Sequence, residues 1–279
     1  MIVFVKPFDI EDVMQGAARR EERPLPETEE ELAALIKRAE AGDAEAQCDL
    51  GCFYRMQADM KLEHLRNTIL SGSPNMRAPY NIGEKPPFFA FVEEDRRNAF
   101  EWFQKSAEQG NADAVYNLSL CYNRGEGTAT HLTKARELLQ KAAELGHLEA
   151  QYDLGMLYYH GVKKPNVQTF EIPQNPELAV KWLTKAAEQG DSLAQYQLGE
   201  CHEEGTGTKK DLEKAFYWYQ SAAKSDCQIP WVLSKLAECY ELGIGVEEDI
   251  PKAIEWYEKA AEFGDEQAFD ALDRLKGEI

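Results

Sequence analysis

The sequence predicts an all-α fold made of tandem helical hairpins, and three observations carry that prediction. One stretch recurs along the 279 residues as NAFEWFQKSAEQG (98–110), KARELLQKAAELG (134–146), LAVKWLTKAAEQG (178–190), AFYWYQSAAK from Ala215 and KAIEWYEKAAEFG (252–264). A self-match at a nearly fixed period marks a repeat architecture. One alanine sets the register: Ala99, Ala135, Ala179, Ala215 and Ala253 are spaced by 36, 44, 36 and 38 residues. Finally, the apolar spacing is helical in both halves of each unit. Ala215, Trp218, Tyr219, Ala222 and Ala223 fall on one face of a 3.6-residue helix, and Tyr196, Leu198, Gly199, Cys201 and His202 do the same. A GxG or a lone Gly then ends the second half.

The pattern KA-x-x-W-Y-x-K-A-A-x-x-G, followed by A-x-x-x-L-G-x-x-Y and a closing GxG, resembles the Sel-one-like repeat, a tetratricopeptide-type family. The resemblance covers residues 95–275 and, more weakly, 28–54. It implies a right-handed α/α superhelix, a solenoid of about six hairpins, used as a protein-binding scaffold, with first helices lining a concave groove.

Along the chain, residues 1–27 precede the repeats, and Ile2, Val3, Phe4, Val5 and Phe8 are apolar enough to cap the end of an array. Thr28 with Glu31 reads as a capping box opening the first helix. Residues 28–94 form a degenerate first repeat with Leu32, Leu35, Ile36 and Ala39 as its first stripe, and Leu50, Gly51 and Tyr54 in its second half. This repeat carries an insertion. MKLEHLRNTIL (60–70) extends its second helix, and SGSPNMRAPYNIGEKPP breaks it. Phe88, Phe89 and Phe91 cluster before Asp95, which is expected to cap the next helix. The insertion either packs back to seal a gap or forms a wall of a partner site. Residues 95–279 hold five tandem repeats, continuous with the first. A second insertion, VKKPNVQTFEIPQNP after Gly161, brings Phe170 and Ile172. In SDCQIPW (225–231), Asp226 replaces the turn glycine and Pro230 starts a helix, which is expected to alter only local geometry.

Fifty acidic residues against 31 basic ones give a net charge of −19, which argues against nucleic acid and anionic membranes and favours a basic protein partner. No stretch reaches the length of a membrane span, and MIVFVKPFDIEDVM lacks the basic start of a signal peptide, so a cytoplasmic location is expected. Cys121, Cys201 and Cys239 share one register position with Leu157, which reads as an apolar core site. Cys48 and Cys52 lie four apart on one helix, a spacing unlike a redox or zinc motif. All six cysteines, Cys227 included, are expected to be reduced.

The search for chemistry finds no phosphate loop and no GxSxG elbow. GEGT (125–128) and GTGT (205–208) terminate helices. His64, His131, His147, His160 and His202 form no metal-binding pair. His202 replaces the tyrosine of Tyr122, Tyr158 and Tyr240, and His160 stands where a helix C-terminal dipole would act on it. Glu101–Lys105, Glu137–Lys141 and Glu255–Lys259 are i,i+4 pairs on exposed faces.

These readings converge on a non-enzymatic scaffold or adaptor without cofactor or metal, holding a protein or peptide with a basic surface. The candidate partner-binding residues are Phe88, Phe89 and Phe91 of the insertion and Phe100, Gln104, Gln140, Thr184, Phe216, Gln220 and Glu258 of the first helices. An immunity-type inhibitor of a basic toxin is the alternative. Resemblance also admits a β-lactam-binding or hydrolysing enzyme, against which the missing nucleophile–base motif counts.

Overall fold

The structure, a computed structural model, describes residues 26–70, 87–163, 170–224 and 229–277. Among these residues there are twelve helices: α1 (Glu29–Glu40), α2 (Ala44–Leu70), α3 (Pro87–Glu108), α4 (Ala112–Arg124), α5 (Leu132–Glu144), α6 (Leu148–His160), α7 (Pro176–Glu188), α8 (Ser192–Glu204), α9 (Leu212–Lys224), α10 (Pro230–Leu242), α11 (Ile250–Glu262) and α12 (Glu266–Gly277). Odd-numbered helices are the first halves of the repeat and even-numbered ones the second halves. The chain divides into two compact units, whose described parts are 26–150 and 151–277. Within each unit every helix packs on its neighbours in sequence, α1 to α5 in the first and α7 to α12 in the second.

Capping residues start these helices where the sequence places them. The Thr28 hydroxyl accepts from the Glu31 amide at 3.2 Å and Glu31 returns the bond to the Thr28 amide, so the capping box is present. Asn111, Asn175, Asp191 and Asp249 accept in the same way from the amide three residues on. Left-handed glycines close second helices, as at Gly205 with φ 83°. Gly207 is the tighter requirement. A Cβ there would lie 2.1 Å from the Pro176 carbonyl oxygen, at the start of the same repeat's first helix. Any side chain at this site would separate the two ends of the hairpin.

Both registers of the repeat are core. Ala99, Ala135, Ala179, Ala215 and Ala253 are buried, as are Leu118, Leu154, Leu198, Leu236 and Leu272. Four residues after the alanine, Phe103, Leu139, Leu183, Tyr219 and Tyr257 are buried too. Gly51, Gly155 and Gly199 make room for three of these side chains on the preceding second helix. A Cβ at Gly199 would stand 2.5 Å from the Tyr219 ring. Burying such side chains supplies roughly 1.5–3 kcal/mol each, and most of that burial is contact between neighbouring repeats.

Three local expectations are corrected. Asp95 does not cap a helix. α3 begins at Pro87, and Asp95 sits inside it, nearly buried and ion-paired with Lys61 of the extended α2. Pro87 holds a first-turn position that needs no amide donor, so the helix starts early. Two of the three lysines expected to pair with glutamate lie over tryptophan rings, Lys105 at 3.7 Å from the Trp102 centroid and Lys259 at 4.1 Å from that of Trp256. Burial holds His160 below its ordinary pKa, the reverse of what a helix C-terminus does. The insertion after Gly161 contains a short antiparallel ribbon, β1 (Val162–Lys163) and β2 (Phe170–Ile172), in which Val162 faces Ile172. Extension of the second helix through residue 70 agrees with the structure. The proposed cap over 1–27, most of the proline-rich stretch before α3, and Asp226 and Cys227 lie outside the described residues.

Candidate functional site

In the second unit the second helices α8, α10 and α12 line an open cleft of about 710 Å³, with Tyr257 of α11 in its wall. Its residues follow from the helical register. Relative to the buried leucine of each second helix, Trp231 and Gln267 stand five residues before it. Tyr196, Ser234 and Asp270 stand two before, Lys235 and Ala271 one before, and Glu238 and Arg274 two after. At 3.6 residues per turn these positions span an arc of about 100° centred opposite the leucine. The same register that buries Leu198, Leu236 and Leu272 turns Trp231, Gln267, Asp270 and Arg274 outward, while Ser234 and Ala271 stay buried.

The lining residues Lys235, Tyr257 and Arg274 belong to one arrangement used twice. Tyr219 donates to Glu203 at 2.7 Å, and Tyr257, one repeat later, donates to Glu241 at 2.8 Å. A cation from the following second helix completes each. Lys235 lies 3.1 Å from both Glu203 and Glu238, and Arg274 lies 2.7 Å from Glu241, whose side chain is 9% exposed. Burial, then the carboxylate acceptor, pushes both phenols far above the ordinary tyrosine range. Burial opposes the Lys235 charge, but Glu238 and Glu203 outweigh it and hold its pKa above the usual lysine value. Tyr196 donates to Glu200 at 3.1 Å, and burial raises both their pKa values. At neutral pH the phenols are donors, and with the ion pairs they fix the wall. The exposed lining of the cleft is Trp231, at 56%, with Gln267, Asp270 and Arg274.

No group of three or more His, Cys, Asp or Glu side chains that could hold a metal occurs among the described residues. The five described cysteines are free. Burial raises Cys121, Cys201 and Cys239 to about 12 each. Cys48 hydrogen-bonds to Cys52 and keeps its proton, while that bond, aided by Arg55, makes Cys52 the more acidic thiol. His202 is buried as a packed residue, and burial, followed by the charge of Lys214, lowers its pKa.

None of the eight sequence-derived candidates with described side chains lines this cleft. Phe88 and Phe89 lie in the first turn of α3 with side chains outside the described part, and Phe91 is 59% exposed. Phe100 packs edge-on against Tyr122 at 5.4 Å and Phe216 against Tyr240 at the same distance, each within its own hairpin. Gln104 and Gln140 are exposed and donate to Glu108 and Glu144. Thr184 donates to the Val180 carbonyl at 2.7 Å, Gln220 accepts from Lys224, and Glu258 accepts from Lys276. Sequence reasoning passed over Trp231, Lys235, Glu238 and Arg274. The available signal was the outward positions of the last three second helices.

The profile of the Sel1 repeat family matches residues 89–111, 112–147, 148–191, 192–227 and 233–265. A Sel1 repeat protein from Oxalobacter formigenes is similar over 96% of this chain and 89% of its own, at a TM-score of 0.64 and 23% identity. A protective antigen of uropathogenic Escherichia coli strains, displaying an SLR fold, is similar over 88% of this chain and 51% of its own, at a TM-score of 0.59 and 24% identity. The chain thus spans about half of that antigen. Both likenesses are likenesses of fold. No curated protein matches the chain.

Proposed function

The chain belongs to the Sel1 repeat family, whose members generally mediate protein–protein interaction, and from that premise we propose that this protein is a non-enzymatic binding module for a protein or peptide with a basic surface. The observation that carries the reading is the cleft between α8, α10 and α12. Its ionised wall residues are committed to pairs within the fold, and it offers a partner shape, the Trp231 ring and the Asp270 carboxylate. Exposed tryptophans in concave surfaces are the usual anchors of protein interfaces. The −19 charge supports a basic partner over nucleic acid or an anionic bilayer. Among the described residues no helix is long and apolar enough to cross a membrane. The free thiols support placing the protein in a reducing compartment, the cytoplasm.

The test is affinity capture from lysate of the source organism on immobilised wild-type protein and on Trp231→Ala. We expect a protein retained by the wild type to be released by salt and to bind the variant about 30-fold more weakly, the scale of an interface anchor. Equal, salt-independent retention by both would refute the assignment of the cleft.

A further inference from the structure

The first helices carry a second, independent feature. Three residues after the register alanine stand Trp102, Leu138, Trp182, Trp218 and Trp256. Six residues after it stand Lys105, Lys141, Lys185, Ser221 and Lys259. The two positions lie one turn apart on the same face. Wherever tryptophan and lysine coincide, the ammonium sits over the ring: Lys105 at 3.7 Å from Trp102, Lys185 at 4.2 Å from Trp182 and Lys259 at 4.1 Å from Trp256. The repeat beginning at Ala215 breaks the rule. Its tryptophan remains and its lysine is replaced by Ser221, whose hydroxyl turns back to the Tyr217 carbonyl at 2.8 Å. Among the described residues no cation lies over Trp218.

A second departure falls in the same repeat. Two residues after the alanine, the other repeats carry Glu101, Glu137, Lys181 and Glu255, whereas this one carries Tyr217. Tyr217 is 58% exposed and meets Trp218 edge-on at 5.0 Å between centroids. α9 therefore presents two adjoining aromatic rings where α3, α7 and α11 present one ring under a lysine.

We propose that Tyr217 and Trp218 form a subsite for a lysine or arginine side chain of a partner protein, which occupies the place filled in the sister repeats by the chain's own lysine. The occupant is identified by chemistry seen three times in this molecule, an ammonium over the tryptophan face, and by the charge of −19 that draws cations to the surface. The inference rests on the reading of the protein as a binding module, and names the partner group that one surface takes.

The experiment titrates a fluorescein-labelled octa-arginine peptide into the full chain in about 150 mM NaCl, where charges beyond about 8 Å are screened. Ser221→Lys restores the internal lysine and should close the subsite, weakening binding about fivefold or more, the scale of one partly desolvated cation–π contact. Ala129→Lys adds the same charge at an exposed position on a different element and should leave the affinity within about twofold, since it does not place an ammonium one helical turn from Trp218. Trp218→Leu, which copies the residue Leu138 of a sister repeat, should weaken binding as Ser221→Lys does. Equal weakening by Ser221→Lys and Ala129→Lys would reduce the effect to overall charge and overturn the proposal. So would absence of peptide binding to the wild type, or an affinity unchanged by Trp218→Leu. None of these outcomes bears on partner capture at Trp231.

Discussion

Gly199→Ala sets two effects of opposite sign against each other. Gly199 lies in the interior of α8, where alanine favours the helix by about 1 kcal/mol. The added Cβ would fall 2.5 Å from Cε1 of Tyr219, a ring with no solvent exposure. That ring is not free to swing aside, because its hydroxyl is held by Glu203 at 2.7 Å. Forcing a methyl into such a contact costs about 1–3 kcal/mol, and breaking a hydrogen bond to a charged acceptor adds about 1.5–3 kcal/mol. The equivalent position one repeat later is Ala237, facing Tyr257 at 6% exposure, so the chain does accommodate a methyl where the ring sits slightly further out. We therefore expect relaxation by a small separation of α8 and α9, with a net loss of about 1.5–5 kcal/mol once the propensity gain is subtracted. Because repeat arrays unfold in parts, hydrogen exchange at α8 and α9 amides is the decisive assay, with urea melts beside it. Faster exchange confined to these helices is expected. A variant with slower exchange and a higher melting point would show that propensity dominates and that the close approach is slack.

Leu198→Ala, at 1% exposure, should cost about 2–5 kcal/mol in a urea melt and raise exchange in the neighbouring repeats. In the native protein a thiol reagent near neutral pH should label Cys52 before Cys121, Cys201 and Cys239, whose thiols are held at about 12; simultaneous labelling of all four would count against the burial assigned to them. His202 has its folded pKa lowered, so below its ordinary value the unfolded chain binds the proton first and stability falls as pH drops through that window. His202→Tyr, which copies Tyr122 and Tyr240, should lessen the loss of stability between about pH 6.5 and pH 5, and identical acid profiles would refute the linkage.

The fold was legible because its determinants are periodic. Each register alanine and each register leucine predicted as core is buried, and the closing glycines are left-handed where the sequence puts them. Contacts of fixed short separation, capping boxes and αL glycines, leave marks a reader can count. Asp95 was misread for the complementary reason. As a residue before an apolar run it looks like a cap, and its true role depends on Lys61, 34 residues away on α2. Lys105 and Lys259, at the i+4 position from glutamate, were misread because a tryptophan one turn away competes for the same ammonium.

The cleft was hidden by the same long-range logic. Taken singly, Glu203, Lys235, Glu238 and Arg274 read as solvated charges on helix exteriors, and only pairing across helices turns them into a wall. Yet that pairing also has a period. Glu203 and Tyr219 are 16 residues apart, as are Glu241 and Tyr257, and the second pair follows the first by 38. In the earlier repeats, where the corresponding first-helix residue is Phe103, Leu139 or Leu183, there is no hydroxyl for a carboxylate to receive. At Phe103 the outward group is Arg55, 5.6 Å over the ring and bonded to Asn117 at 2.6 Å. In both repeats that place tyrosine in the core, the hydroxyl donates to a carboxylate that a cation from the next second helix also meets. Lys235 and Arg274 are thus tied to Tyr219 and Tyr257. Trp231, Asp270 and Tyr217 are not: no buried group requires them, which is why the binding surfaces are assigned to those residues and not to the charges around them.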